Sequence, residues 1–258
     1  MCVPEWATLG PMRLAVLAFS LIAFVGPGCT PDRCRAGNDE LSMVLRAVDL
    51  RTDDGEEVRV AVDFATGDRS AIPISWAKCD GDRVLINGQD ARESVQEDRT
   101  EYTLTLDGED GGETITVELD RATEDEVISA SVNRPPRFEM TAPEPGAEIS
   151  RSEPTELAWE PAAEGGEMQV ELQEELGGGR CIVSDDVEHD YKGQGGVRVE
   201  DTGTWTVPAG VLTNEGELRC DARYVLRRFS AGEYPEGLAA GGFVEAQVLR
   251  IVLFESVP

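Results

Sequence analysis

The sequence predicts an all-β protein made of two consecutive β-sandwich domains. From residue 41 onward, apolar residues recur at every second position, which is the period of a strand with one buried face. Glycine-rich turn signals separate these apolar runs at short intervals, and no stretch shows a helical stripe of useful length. Near the middle, Pro135 and Pro136 interrupt the alternation. Because proline cannot join a central ladder, we place the domain boundary at this pair.

The first domain is expected over 41–134. Its clearest strand is 58–64, where four apolar residues alternate with charged or small ones. Asn87-Gly88 is a strong signal for a tight turn, and the acidic, glycine-rich segment 107–112 is a second turn between two strands. The candidate strands are 41–45, 58–64, 72–76, 84–86, 102–106, 115–119 and 128–132. Seven short strands in about a hundred residues indicate a β-sandwich.

The second domain is expected over 135–258. Segment 218–224 places Cys220, Ala222 and Tyr224 on one face of a strand, with charged residues on the other face. Segment 243–254 is nearly continuous in apolar residues, which predicts a central closing strand. The other candidate strands are 138–140, 157–159, 168–172, 181–183 and 205–207.

This second segment also resembles a known module. It has a proline-rich start, an Ala-Pro-Glu-Pro-Gly turn at 142–146, a Leu-x-Trp-x-Pro motif at 157–161, and Val-Pro-Ala-Gly at 207–210 before the penultimate strand. In these features it resembles an immunoglobulin or fibronectin type III-like domain of bacterial surface proteins. It departs from that family at Leu218, where a tyrosine often stands. The resemblance implies two immunoglobulin-like sandwiches that serve as spacers or binding surfaces and seldom as catalysts.

The segment 12–29 has the pattern of an export signal. Arg13 precedes twelve residues with a single polar side chain, and small residues follow them. Twelve residues reach only about 18 Å as a helix, whereas the apolar core of a bilayer is about 30 Å thick. We therefore expect 1–28 to be a secretory signal peptide. We expect the natural start at Met12, because Glu5 and Trp6 suit a signal start poorly; a longer N-terminal region of the signal is the alternative.

The end of that segment resembles the lipobox of bacterial lipoproteins. Gly28 and Cys29 match the pattern, whereas Gly26 and Pro27 depart from it and Val25 stands one position early. The resemblance implies cleavage before Cys29, which would carry the lipid. Residues 29–40 would then form a short tether to the first domain. An ordinary cleaved signal with an incidental thiol is the alternative.

The charge balance excludes some partners. The chain has a net charge of −28, and removal of 1–28 leaves it unchanged because that segment carries one base and one acid. Such a balance repels phosphate backbones, so nucleic acid is a poor partner. The acidic residues are interpreted as a solvated coat that keeps the sheets soluble. Binding of divalent cations is the alternative.

Four cysteines remain after Cys2 and Cys29, and an even count in an exported chain favours disulfides. Four cysteines allow three pairings. Because the proline pair divides them two and two, we predict Cys34–Cys79 and Cys181–Cys220. Each bridge closes a loop of about forty residues, worth roughly 4 kcal/mol in the chain-entropy model. The chain has no CxxC motif, and its one histidine is His189, so zinc is not expected.

The densest candidate for chemistry is Asp185, Asp186, Glu188, His189 and Asp190. Carboxylates beside a histidine could bind a metal or orient a general base. The chain contains no G-x-S-x-G and no HExxH motif, so we interpret this cluster as a solvated acidic loop. The acidic segment 107–113 lacks the alternating ligand order of a calcium loop and is interpreted as a turn.

These observations together predict a non-catalytic lipoprotein of the cell envelope with a structural or protein-interaction role. It would be bound to the membrane through its N-terminal lipid, either on the periplasmic side or at the cell surface. Its partner would be a protein or a surface ligand, and no cofactor is expected. Two alternatives remain: a calcium-dependent adhesion or binding module, and a hydrolase that uses His189.

Overall fold

The computed structural model describes residues 34–52, 55–66, 74–96, 99–107, 114–122, 124, 126–174, 181–183, 191, 196–214 and 219–258. Over these residues the protein is all-β, as predicted, with nineteen strands in four sheets and one short 3-10 helix, Asn38–Glu40. They belong to one compact unit, Asp32–Pro258. No helix among the described residues is long and apolar enough to span a bilayer.

Nine strands precede the proline pair. They are β1 (Leu41–Thr52), β2 (Gly55–Thr66), β3 (Ile74–Ser75), β4 (Arg83–Ile86), β5 (Gln89–Asp90), β6 (Arg92–Gln96), β7 (Arg99–Asp107), β8 (Thr114–Arg121) and β9 (Glu126–Asn133). Asn87 and Gly88 both have positive φ, at 48° and 75°. That combination belongs to a type I′ turn, which explains why this dipeptide closes the hairpin between β4 and β5.

Ten strands follow the proline pair. They are β10 (Glu139–Ala142), β11 (Glu148–Ser150), β12 (Thr155–Glu160), β13 (Glu167–Glu174), β14 (Cys181–Val183), β15 (Val197–Glu200), β16 (Thr204–Val207), β17 (Leu212–Asn214), β18 (Cys220–Ala231) and β19 (Phe243–Val257).

One ten-stranded sheet runs through both halves of the chain. Its order is β15-β13-β18-β19-β1-β2-β7-β6, with β11 also paired to β19 and β3 to β2. Three smaller sheets have the orders β5-β4-β8-β9, β10-β12-β16 and β14-β17. The large sheet therefore supplies strands to both regions that the sequence divides at the proline pair.

Strand β19 makes the large sheet continuous. Its first residues pair in parallel with β1, from Val44 opposite Phe243 to Asp49 opposite Val248. Along its other edge, β19 pairs antiparallel with β18 over twelve positions. The apolar run at 243–254 is indeed a central strand, and it closes both halves rather than the second alone.

The buried side chains form two clusters. In the first, inward residues of β1, β2 and β7 pack against those of β4, β8 and β9. In the second, β13, β18 and β19 pack against β12 and β16, with Phe138 and Tyr191 also buried. The predicted boundary lies between the two clusters, but β19 contributes Val244 and Ala246 to the first and Val248 and Phe254 to the second.

Because β19 belongs to both clusters, we expect the two halves to unfold together. Leu45, in the first cluster, is fully buried, so Leu45→Ala should cost about 2–5 kcal/mol of stability. Hydrogen exchange should show the same loss of protection in β8 and in β12, which lie in different halves. Thr105→Ala, at an exposed position of β7, is the control and should change neither. A loss confined to β8 would contradict this coupling.

Candidate functional site

Several residues singled out in the sequence lie outside the described residues. These are Cys29, the acidic segment 108–113, and the cluster of Asp185, Asp186, Glu188, His189 and Asp190. Across the described ranges, no group of three or more His, Cys, Asp or Glu side chains is placed to hold a metal ion.

Both predicted disulfides are present. Cys34 is bonded to Cys79 with a Cα–Cα distance of 5.1 Å, and Cys181 is bonded to Cys220 at 5.4 Å. Cys181 and Cys220 are buried in the second cluster, whereas both sulfurs of the first bridge belong to half-buried residues. Each bridge therefore lies within one half of the chain, and the two differ in access to solvent.

Arg121 holds the segment that enters the first half. Its side chain is almost fully buried, and it donates hydrogen bonds to the carbonyl oxygens of Cys34 and Ala36 and to Asn38 Oδ1, at 3.2, 2.8 and 2.8 Å. Its guanidinium carbon lies 5.6 Å from the ring centroid of Trp76. The first disulfide and this arginine together fix residues 34–38, which lie within the predicted tether of 29–40, against the first half.

Three tryptophans, Trp76, Trp159 and Trp205, are packing residues. Trp76 is fully buried and meets Phe64 edge-on, with ring centroids 5.4 Å apart. Trp159 is buried in the second cluster and donates from Nε1 to Asp201 Oδ1 at 2.7 Å. Trp205 is partly buried and donates to the Tyr191 hydroxyl at 3.3 Å. These positions agree with core packing rather than with an exposed stacking platform.

Two buried tyrosines remain neutral at physiological pH. Burial raises the pKa of Tyr224 to about 12, with a hydrogen bond from Thr155 acting in the opposite direction. Burial likewise raises the pKa of Tyr102 above its ordinary value, although its hydroxyl accepts the Lys78 backbone N–H at 2.9 Å. Burial disfavours the charged phenolate form of both side chains, so neither tyrosine is suited to act as a general base.

A buried ionic cluster lies where the two halves meet. Asp49 Oδ2 accepts hydrogen bonds from Arg134 Nη2 at 2.7 Å and from Arg137 Nε at 2.8 Å. Asp49 Oδ1 lies 3.6 Å from Arg250 Nη1. Glu56 contacts both Arg137 and Arg250. Asp49 and Arg134 are each only 2% exposed at their side chains, so the pair is removed from water.

A second buried ion pair continues this cluster. Arg228 donates to Asp201 through Nε at 2.6 Å and through Nη2 at 3.1 Å. The same guanidinium donates to the carbonyl oxygens of Pro136 and Pro161. The ring of Phe138 lies beside both arginines, 4.9 Å from the Arg228 guanidinium and 5.8 Å from that of Arg250. The chain around the proline pair is therefore held by buried charges.

The outer face of the large sheet points away from both clusters and carries charged side chains together with some exposed apolar ones. We call it the open face. On β19 it presents Phe243, Ile251 and Leu253, which are 38%, 49% and 51% exposed. Val225 on β18, opposite Ile251, lies on the same face but is only 2% exposed. Ile251 and Leu253, two positions apart on one strand, form an exposed apolar pair of the kind found at contact surfaces.

A groove of about 180 Å³ lies on the open face, over β1, β2 and β7. Its lining consists of Val44, Arg46, Val48, Arg59, Ala61, Asp63, Arg99 and Glu101. The strand register explains its position, because Ala61 lies opposite Arg46 on β1 and opposite Thr103 on β7. A small side chain among longer ones leaves a depression, with Val44 and Val48 beside it.

The arginines of the groove are held in place to different degrees. Arg99 contacts Asp63 at 2.9 Å and Glu101 at 3.6 Å, and Arg46 contacts Glu245 at 3.0 Å. Arg59 lies 3.7 Å from Glu101 and its side chain is 58% exposed. The groove thus combines an apolar floor with three guanidinium groups and two carboxylates, in a chain whose overall charge is strongly negative.

Sequence reasoning missed both the ionic cluster and the groove. The available signal for the cluster was a charge in the inward phase of a strand: Asp49 continues the series of Leu41, Met43, Leu45 and Ala47. The groove had no comparable signal, because its lining comes from three strands whose register is a tertiary property.

The chain matches no protein-family model and no curated protein sequence.

We expect the two disulfides to be reduced in a defined order. Thiol exchange requires access to a sulfur, so the half-buried Cys34–Cys79 bridge should be reduced before the buried Cys181–Cys220 bridge. Native protein would be treated with increasing dithiothreitol, alkylated and mapped by mass spectrometry. Alkylation of Cys181 and Cys220 at concentrations that leave Cys34 and Cys79 bonded would contradict this prediction.

Asp49→Ala should destabilise the fold strongly. The substitution leaves Arg134, Arg137 and Arg250 around a site that has lost its buried carboxylate, and breaking such a pair costs about 3–5 kcal/mol. Urea unfolding followed by circular dichroism measures the loss.

Asp90→Ala is the matched control for Asp49→Ala. Asp90 contacts Arg83 at 3.0 Å in an exposed pair, so its removal should leave stability nearly unchanged. Equal effects of the two substitutions would show that burial of the Asp49 cluster is unimportant for stability.

Proposed function

We propose that the protein is an exported, non-catalytic lipoprotein of the cell envelope that binds a protein partner or surface ligand through the open face of its large sheet. In this proposal, each half is an immunoglobulin-like sandwich module, and Cys29 anchors the chain to the membrane on the periplasmic side or at the cell surface. The finer domain type follows from the sequence resemblance of the second half.

The observation that carries the export proposal is the pair of disulfides. Disulfides persist in oxidising compartments and are rare where thiols are kept reduced. The pairs Cys34–Cys79 and Cys181–Cys220 both have the geometry of formed bridges. They agree with the apolar, cysteine-ended segment at 12–29, which is typical of a secretory signal.

The binding role is supported by the positions of the charged and the apolar side chains. Buried charges such as Asp49 and Arg228 are engaged in fixing the fold. The open face carries three exposed large apolar side chains, Phe243, Ile251 and Leu253. A rigid sheet that presents apolar residues between ion pairs is suited to recognition. Arg121, on β8 of the smaller sheet, and the first disulfide would connect the anchored segment to the first half.

Calcium-dependent adhesion and hydrolysis at His189 are the other functions that the sequence leaves open. The acidic segment 108–113 and the cluster around His189 both lie outside the described residues. No contact among the described residues favours either function.

Cys29→Ser should move the protein from the membrane fraction to the soluble fraction of a bacterial host with lipoprotein export. Cys29 is the predicted site of the acyl chains, so the substitution removes all of them. Without them the protein lacks the two membrane-binding signals that stable attachment requires. Metabolic labelling with a palmitate analogue, followed by fractionation, measures both effects. Cys2→Ser is the control and should change neither, since Cys2 lies in the predicted signal. Unchanged labelling and unchanged fractionation of Cys29→Ser would contradict the anchor.

A further inference from the structure

We infer that a small cavity beside the second hydrophobic cluster binds one ordered water molecule, which bridges the hydroxyl of Ser256 to the hydroxyl pair of Tyr224 and Thr155. The inference goes beyond the proposed binding function and does not depend on it. The cavity has a volume of about 20 Å³. A site needs about 10–15 Å³ to hold one water molecule, so the cavity is large enough for one.

The first support is the buried hydroxyl of Ser256. This residue lies in the inward phase of β19, two positions after Phe254, and is fully buried. Its Oγ has no hydrogen-bond partner among the residues that the structure describes. An unbonded buried hydroxyl costs stability, and native proteins usually bond such groups to the protein or to ordered water. Because Ser256 lines the cavity, a water molecule bound there would be its partner.

The second support is a proton that the neighbouring hydroxyls still have to donate. Tyr224 and Thr155 are joined by a hydrogen bond, and both residues line the cavity. Burial raises the pKa of Tyr224 to about 12, so its phenol keeps its proton at physiological pH. Two hydroxyl groups that share one hydrogen bond have two protons, and the bond uses only one of them. The other proton is available to a water molecule in the cavity.

The third support is the distribution of polar groups around the cavity. Purely apolar cavities stay dry, whereas a water molecule binds where it finds two to four polar partners. Here Leu172, Val207 and Leu212 supply buried apolar walls, and the three hydroxyls supply the polar partners. Half-buried residues at 149–151 also line the cavity, so the bound water could exchange with solvent.

The bridge would hold the end of β19 against its neighbours. Ser256 stands between Ile149 on β11 and Cys220 on β18. The Tyr224 ring stacks on Phe254, with centroids 4.6 Å apart, which inclines the tyrosine toward the part of β19 that carries Ser256. A water molecule shared by the hydroxyls therefore links β19 to β18 and, through Thr155, to β12 of the facing sheet.

The direct test is a high-resolution crystal structure of the purified protein. It should show an ordered water molecule about 2.8 Å from Ser256 Oγ that also contacts the hydroxyl of Tyr224 or Thr155. A structure with no ordered water at Ser256 Oγ, or with a water that contacts neither of the other two hydroxyls, would overturn the inference.

A substitution tests the site in solution by the direction of its effect. Ser256→Ala should lower the urea midpoint of unfolding by roughly 0.3 M, because the bound water loses its hydrogen bond to Oγ. If Oγ had no partner at all, its removal would raise the midpoint instead. Ser129→Ala, at an exposed position of β9, is the matched control and should leave the midpoint unchanged. A midpoint that rises or stays the same in Ser256→Ala would contradict the inference.

A second variant tests whether one water molecule serves both sides of the bridge. Tyr224→Phe keeps the aromatic ring and removes only the hydroxyl. Because a shared water couples the two hydroxyls, the double variant with Ser256→Ala should shift the urea midpoint by less than the sum of the two single shifts. Additive shifts would show that the two hydroxyls act independently and would overturn the bridge.

Discussion

The parallel pairing of β19 with β1 is the constraint on which the rest of the structure depends. It joins residues about two hundred positions apart and makes one sheet from strands of both halves. Because inward residues alternate along β19, the same strand passes from the first hydrophobic cluster, at Val244, to the second, at Phe254. The two halves therefore cannot move independently of each other, because such motion would break the pairing of two central strands.

The ionic cluster follows from that constraint. Strands β1 and β19 both have inward positions between the two hydrophobic clusters. Asp49 and Arg250 occupy these positions and lie close to each other. Buried charges are costly unless they are paired, and hydrophobic replacements are often as stable. What the charges add is directionality: Arg134 and Arg137 converge on a single carboxylate oxygen, which specifies one path for the chain through the proline pair. We attribute specificity of the junction, rather than extra stability, to this arrangement.

Much of the local structure could be predicted from the sequence, and the long-range pairing could not. Alternation identified strands such as Gly55–Thr66, and the division of the cysteines by Pro135 and Pro136 correctly predicted both disulfides. The pairing of β1 with β19 leaves no local pattern, because a parallel connection needs no tight turn between its strands. The nearest signal was Arg250, a charge in the inward phase of an otherwise apolar strand. A charge in that phase indicates a buried partner elsewhere in the chain, although it does not identify that partner.

Strand β19 also explains why we assign the binding role to the open face. A central strand with both faces buried reads as a continuous apolar run, and β19 has that composition. Its inward face meets the two clusters, whereas outward residues such as Ile251 and Leu253 are about half exposed. Elsewhere on this sheet, the outward apolar residues Val44 and Val48 adjoin arginines that carry their own carboxylate partners. Exposed apolar side chains on the outward side of a central strand, in a chain of net charge −28, are expected of a surface that is completed by a partner.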